Sequence, residues 1–413
     1  LLAPSITGKY NYPAASGSER RGTADIGSPG IGFRDALKRS VFPFPGGGRA
    51  RRGRKMPDMN TCPQCGLPLY ISSQHAWLPN GVIRARRESR QRLVLFECGN
   101  LDPLFTGISE LIGVPIERLV IDASRRSTRD YMRYVVPDDV KEMIRNRELD
   151  LKPVFDSTFL IWRAMGYGKL SVETVKFEGK SDDFITVLAE RPYSVPLAVG
   201  NFAGSLEAIL EREPGVEYRE ASPGVYRITV RESENPSELR SRLRWKGYGM
   251  EYKQGDLEWE RCPSCDAPLA LREFRWDPAS GSIRSTLTGR RMVMTGPSMI
   301  DPIFDELEEE LGEAIPRVVV EAQKRFVKSG FFAVEEVVSE ENIREKLAVR
   351  GLGYLRYLRM GRKGVQLRME NVALPLMGVG LAQGLFEKAF QVESEVEWEF
   401  AGDGDLLVEV MPR

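Results

Sequence analysis

The eight residues Cys62-Pro63-Gln64-Cys65-Gly66-Leu67-Pro68-Leu69 return, little changed, as Cys262-Pro263-Ser264-Cys265-Asp266-Ala267-Pro268-Leu269. A Cys-x-x-Cys pair with Pro after the first Cys and Gly or Asp after the second presents two thiolates to one metal ion from a tight turn. Each pair is half of a tetrahedral zinc site. Inside the first copy the missing ligands could only be His75, the sole histidine, or Cys98, the fifth cysteine, and the second copy has neither. Two separate sites would need different ligand sets in otherwise similar halves, whereas one shared site needs no such asymmetry. The expectation is a closed four-thiolate site of Cys62, Cys65, Cys262 and Cys265, holding one structural zinc per chain with no open position for water. The competing readings are reduced thiols without metal and a thioredoxin-type dithiol. The second is disfavoured because no helix clearly starts at either pair to lower a thiol pKa. Cys98 reads as buried apolar filler, and His75 as a surface or satisfied residue.

A chain of 413 residues has room for two or three domains. With 42% hydrophobic and 29% charged residues it reads as soluble and globular, and no apolar run reaches the roughly 18 residues of a membrane span. Four of five cysteines lie in the two motif pairs, which suits a reducing cytoplasm with metal better than a secreted disulfide framework. The formal charge of zero hides an asymmetry. Residues 1–55 hold 11 Lys and Arg against 3 acids, which leaves 48 against 56 in the body. An acidic body argues against nucleic acid as the main partner.

The first 55 residues are rich in Gly, Pro, Ser and Arg without any helical or strand period, and read as disordered. Their Arg content is that of a transit peptide. The chain opens on Leu, however, and Met56 and Met59 lie just before the first Cys pair. The expectation is that residues 1–55 are upstream sequence absent from the native product.

Behind each Cys pair the chain repeats a larger unit, residues 56–232 and 260–413, joined by a linker over 233–259 in which Asn235-Pro236 opens a short helix. An apolar strand, Arg92 to Phe96 or Arg291 to Met294, precedes Asp102-Pro103 or Asp301-Pro302. Asp at the N-cap with Pro at the first helical position starts a helix, and Gly113 and Gly312 stop it. Gly166-Tyr167 aligns with Gly353-Tyr354. Gly200-x-x-x-Gly204 and Gly380-x-x-x-Gly384 then mark a helix followed by short strands. Copy one carries about 20 extra residues, near 140–160 and 178–190, and such insertions belong in surface loops. Helices before strands, with a further helix near the end, predict an α+β fold: two tandem units of helices on an antiparallel sheet.

The Gly166-Tyr167-Gly168 turn, the strands after it and the Gly200-x-x-x-Gly204 helix leading to terminal strands resemble the 4-vinyl reductase domain family. The resemblance spans roughly residues 100–232 and 300–413. It implies small-molecule-binding modules related in fold to haem nitric-oxide-binding domains and TRAPP transport subunits. The terminal strands lack the Cys residues that family members often carry there.

Glycine at every fourth helical position lets a backbone or a flat ligand approach closely. In water its commoner use is packing. Under the resemblance, Gly200, Gly204, Gly380 and Gly384 would floor an apolar pocket lined by Phe202 and Leu206 in one copy and Ala382 and Phe386 in the other. Arg125 and Arg129 align with Lys324 and Lys328. They form either a solvated face or a cradle for a carboxylate or phosphate. The run Arg84, Arg86, Arg87, Arg90 and Arg92 offers an RNA or anion contact. Catalytic constellations are missing: no nucleophile elbow, phosphate loop or dinucleotide fingerprint occurs. The favoured function is a non-catalytic binding protein for a hydrophobic small molecule, acting as a sensor or as accessory to a partner enzyme. The alternatives are a reductase or reductase subunit, and a zinc-ribbon interaction module for nucleic acid or protein.

Overall fold

The computed structural model describes residues 60–86, 91–180, 182–232, 251–332, 340–401 and 404–413. The expectations for residues 1–55 and for a helix at Asn235-Pro236 lie outside them. The first half runs α1 (Leu69–Gln74), β1 (His75–Trp77), β2 (Ile83–Ala85), β3 (Arg92–Glu97), α2 (Cys98–Ile112), α3 (Glu117–Val135), α4 (Asp138–Arg145), α5 (Leu151–Ala164), β4 (Lys169–Lys176), β5 (Phe184–Glu190), α6 (Val195–Leu210), β6 (Pro214–Ser222) and β7 (Val225–Glu232). The second runs β8 (Phe274–Asp277), β9 (Ser282–Ser285), β10 (Arg291–Thr295), α7 (Asp301–Leu311), α8 (Ile315–Phe326), α9 (Glu340–Val349), β11 (Tyr354–Gly361), β12 (Gly364–Glu370), α10 (Pro375–Phe390), β13 (Ser394–Phe400) and β14 (Leu406–Pro412). No helix among the described residues is long and apolar enough to cross a membrane.

The fold is α+β, as the element order predicts. Each half ends in a four-stranded antiparallel sheet of matching order, β4-β5-β7-β6 and β11-β12-β14-β13. The two small meanders join edge to edge as one sheet, β1-β2-β3-β10-β9-β8, with β3 antiparallel to β10. Leu93 to Phe96 is buried at every position, as a central strand covered on both faces requires. Helix α6 is buried over nearly its whole circumference, so its sequence is apolar all round rather than striped. Ser194 caps it, accepting from the Leu197 N–H at 3.4 Å.

Two sequence expectations are corrected here. Helix α2 starts at Cys98, not at Asp102, and carries Pro103 inside. The chain passes straight from β3 into the helix, and Asp102 Oδ2 accepts instead from the Val195 N–H of α6 at 3.2 Å. The expected counterpart of Gly166-Tyr167 is also two residues out. Gly166 and Gly168 match Gly351 and Gly353, since the Tyr167 N–H bonds to Trp162 O just as the Leu352 N–H bonds to Leu347 O, both at 3.0 Å. Gly353-Tyr354 attracts the alignment only because it repeats the same dipeptide.

These glycine turns explain how the halves hold each other, for each meander docks on the turn of the opposite half. A side chain on Gly166 would meet Met292 O at 2.7 Å, and one on Gly351 would meet Leu93 O at 2.5 Å. Arg291 donates to Gly166 O at 3.1 Å and Pro192 O at 3.2 Å. Arg92 donates in the same way to Gly351 O at 2.9 Å and Val372 O at 3.1 Å. Arg92 is buried, so it is a clamp between the halves rather than a nucleic-acid contact. Arg87 and Arg90 lie outside the described residues.

Helices α3 and α7 also meet across the halves, where Arg126 Nη1 lies 3.9 Å from Glu306 Oε1. Burial raises the Glu306 pKa to about 7 from 4.5, against the pull of Arg126. A folded-state pKa above the unfolded one gives stability that is complete below about 4.5 and lost as pH rises through about 7. Urea titrations at pH 5 and pH 8 are expected to show wild type losing up to about 3 kcal/mol from this group, a loss that Glu306→Gln abolishes.

Candidate metal centre and ligand cavity

The two Cys-x-x-Cys turns are built alike. The Cys62 N–H bonds to Leu67 O and the Cys262 N–H to Ala267 O, both at 2.8 Å. The Gly66 N–H returns to Cys62 O at 2.9 Å and the Asp266 N–H to Cys262 O at 2.8 Å. Gly66 and Asp266 both take positive φ, 74° and 59°, which is why Gly or Asp follows the second Cys.

The pairing of β3 with β10 carries the two turns together. Cys62 Sγ lies 3.7 Å from Cys262 Sγ, and Cys65 Sγ lies 3.5 Å from Cys265 Sγ. All four sulfurs fall within 4.8 Å of one another. Tetrahedral bonds of about 2.3 Å give a sulfur–sulfur edge of about 3.8 Å, so the tetrad fits one four-coordinate ion. The same spacing is too long for disulfides, whose sulfurs lie about 2.05 Å apart. Against the raising effect of burial, backbone N–H groups of Cys65 and Gln64 bring Cys62 down to about 6. Burial pushes Cys65 up to about 12. A dication among the sulfurs would allow all four to ionise together. Leu67, Ile71, Trp77, Ala267, Leu271 and Phe274 form an apolar cluster around the junction.

The other two candidate ligands stand apart. His75 is buried, with Nδ1 2.9 Å from Ile71 O, and burial lowers its pKa to about 4. Cys98 is buried at the start of α2, where burial pushes the thiol up to about 12.

The glycine stripes face helices, which corrects the expectation that they floor a pocket. A side chain on Gly200 would lie 2.4 Å from Ile121 O, and one on Gly204 would lie 2.0 Å from Arg125 O, both in α3. Gly380 meets Val320 O at 2.6 Å, and Gly384 meets Val327 Cβ at 2.7 Å at the end of α8. Phe202 sits in the core against Phe155 and Phe159, and Phe386 packs on Phe390.

The basic stripes carry their counter-charges within the fold. Arg125 bonds to Glu213 at 2.9 Å, and Arg129 to Glu207 at 3.0 Å. Lys328 bonds to Glu387 at 2.6 Å, and Lys324 lies 2.6 Å from Glu321 and 3.7 Å from Glu387. Glu207 and Glu387, each three residues after the second glycine, occupy the place a bound anion would take.

A cavity does exist beside α10, on a different face of the helix. It measures about 150 Å³ and lies between α9, α10 and the inner face of β11 and β12. Ala382, expected among the lining residues, does line it, together with Leu347, Leu352, Ala373 and Gly378. The first half fills the corresponding space. By the shared helix and turn registers, Trp162, Tyr167, Tyr193 and Phe202 stand where the second half has Leu347, Leu352, Ala373 and Ala382. Trp162 lies 5.7 Å from Tyr167 and Tyr167 4.5 Å from Tyr193, centroid to centroid, and Phe202 joins them through Phe159, which packs on Trp162.

The cavity is apolar except at one end, which Glu97 and Asn100 of the first half close together with Gln323 and Arg350. Glu97 is engaged by Arg350. The Asn100 amide is 1% exposed, and among the described residues neither its nitrogen nor its oxygen has a hydrogen-bond partner. Gln323 Oε1 is likewise buried without one among the described residues. Sequence reading missed Asn100, because it announces itself only once β3 and α2 are laid against the second half.

No family model matches the chain, and no curated protein matches it. Among solved structures, a Cs H-NOX mutant with 4-cyano-L-phenylalanine at site 5 is 14% identical. The match covers 33% of this chain and 80% of that one, with a TM-score of 0.23. A mutant of T. tengcongensis H-NOX is 15% identical over 28% of this chain and 74% of that one, with a TM-score of 0.20. Likeness at this level carries no argument about function.

Proposed function

We propose that the chain binds a hydrophobic small molecule in its second half, with the first half as a filled counterpart and one structural zinc clamping the two. The observation that carries this reading is the replacement of four aromatic residues by Leu347, Leu352, Ala373 and Ala382, which leaves a lined cavity beside α10 where the first half places packed rings. Large-to-small differences in a core cost stability unless something fills the space. The orphaned Asn100 amide at the cavity's polar end supports a ligand with one hydrogen-bonding group on an otherwise apolar body.

A closed tetrahedral set of four thiolates suits zinc, and such a site leaves no open position for substrate. Its role is to hold the two meanders together, which keeps Glu97 and Asn100 at the cavity's end. Ligand occupancy then acts on contacts between the halves, as a sensor or an accessory to an enzyme requires. A reducing compartment such as the cytoplasm would keep the thiols available to metal.

The test is a thermal-shift and calorimetric screen of alkanes, aliphatic alcohols, phenols and aromatic hydrocarbons, run on wild type and Ala382→Phe. Ala382→Phe restores the ring that the first half carries. It is expected to keep or raise the Tm of the free protein while abolishing stabilisation by any ligand found. Stabilisation that survives the substitution, or none from any class with wild type, sinks the proposal.

A further inference from the structure

The first half has an opening of its own, at the end of α6 away from the aromatic stack. A cleft of about 190 Å³ lies between the C-terminal turn of α6, the start of β5 and the end of β7. Its floor is apolar, from Phe184, Ile185, Leu206, Leu210 and Val230, and its rim is basic. This is smaller than the roughly 300 Å³ at which drug-sized sites begin.

The charges around the rim are unequally satisfied. Arg145 lies 3.1 Å from Glu211, Arg231 lies 3.3 Å from Glu217, and Lys176 pairs with Asp182. The two carboxylates that line the cleft are committed elsewhere. Asp183 accepts the N–H groups of Glu178, Gly179 and Lys180 at 2.8, 2.6 and 3.1 Å, and Glu213 bonds to Arg125. Arg147 has no carboxylate partner among the described residues.

Local structure sets Arg147 in that position. Its backbone is left-handed, with φ 65°. Its guanidinium occupies the space above Gly179, where a Cβ would come within 2.0 Å of Nη2. Two turns therefore cooperate to hold one uncompensated guanidinium over an apolar floor.

We propose that this cleft binds a small organic carboxylate, with its apolar body on the floor and its carboxylate on Arg147. Arg147 offers a positive charge to a monoanion, and a guanidinium matches a carboxylate through two parallel hydrogen bonds. The site is independent of the cavity in the second half.

Isothermal titration with benzoate and hexanoate, and with benzamide as the neutral analogue of benzoate, tests the assignment. The variant is Arg147→Asn, because Asn tolerates the left-handed backbone and the position is exposed. Both carboxylates are expected to bind wild type saturably and benzamide far more weakly. In the variant, carboxylate affinity falls by roughly tenfold or more, the scale of a charge-assisted bond. Ala382→Phe leaves carboxylate binding unchanged, so failure of this proposal is distinguishable from failure of the ligand reading above. Absence of saturable carboxylate binding, equal binding of benzamide, or unchanged affinity in Arg147→Asn overturns it.

Discussion

Under the proposed zinc clamp, changing Cys262 and Cys265 together to serine is expected to reduce the metal content from one ion per chain to none and to loosen the junction of the two meanders. Changing Cys62 and Cys65 is expected to do the same. The equivalence follows from the geometry, since each pair supplies half of one tetrad whose sulfurs lie within 4.8 Å of one another. Structural zinc contributes roughly 10–16 kcal/mol of apparent binding energy in small zinc-binding peptides, comparable with the whole stability of a typical domain. This junction also holds a cluster that includes Leu67, Trp77 and Phe274, so part of the docking survives without metal. A retained loss of only about 4 kcal/mol would still lower the Tm by roughly 10 °C. Metal analysis by mass spectrometry and a thermal melt settle the matter. Metal retained in either double variant would mean two sites and reopen His75 and Cys98 as ligands.

Gly204→Ala is expected to destabilise the first half by about 3 kcal/mol or more, although alanine is the better helix former by about 1 kcal/mol. Steric conflict wins because the new methyl would stand 2.0 Å from the Arg125 carbonyl oxygen. That oxygen belongs to backbone and cannot rotate aside, so α3 and α6 must move apart along their length. Gly378→Ala on α10 makes the contrast, for no atom outside its own helix turn lies within 4 Å of the added methyl. It is expected to gain up to about 1 kcal/mol from propensity, while narrowing the cavity it lines and weakening ligand binding. Urea denaturation of both variants reads the two signs. A stabilised Gly204→Ala would mean that α3 and α6 are less closely packed than described.

The contrast between those glycines shows what a spacing rule omits. Gly-x-x-x-Gly identifies a bare face without saying what lies on it, and here both faces carry backbone. The cavity lies on another face of α10, and it arises by subtraction. Ala382 and Ala373 are ordinary residues in a sequence until Phe202 and Tyr193 are seen at the same places in the other half. The basic stripes mislead in a related way, because Glu207 and Glu387 sit on a different helix from the cations they neutralise. Arg147, by contrast, belongs to no pattern. Its significance depends on the chain turning left-handed there and on Gly179 leaving room above it.

The sequence by itself determined the duplication, the α+β class, the glycine helices and the membership of the four-cysteine centre. Those features are local or repeated: a turn is set by the residues within it, a helix by its own period, and a shared site by the lack of other ligands in the second copy. Only the tertiary structure decided that each meander docks on the opposite half, that Arg92 and Arg291 are its clamps, and that the space beside α10 is open where its counterpart beside α6 is packed with aromatic rings. The reason is that these depend on pairs of residues far apart in the chain, such as Arg92 with Gly351 or Asn100 and Gln323, which line one cavity. Neither member of such a pair carries a mark of the other until β3 lies against β10.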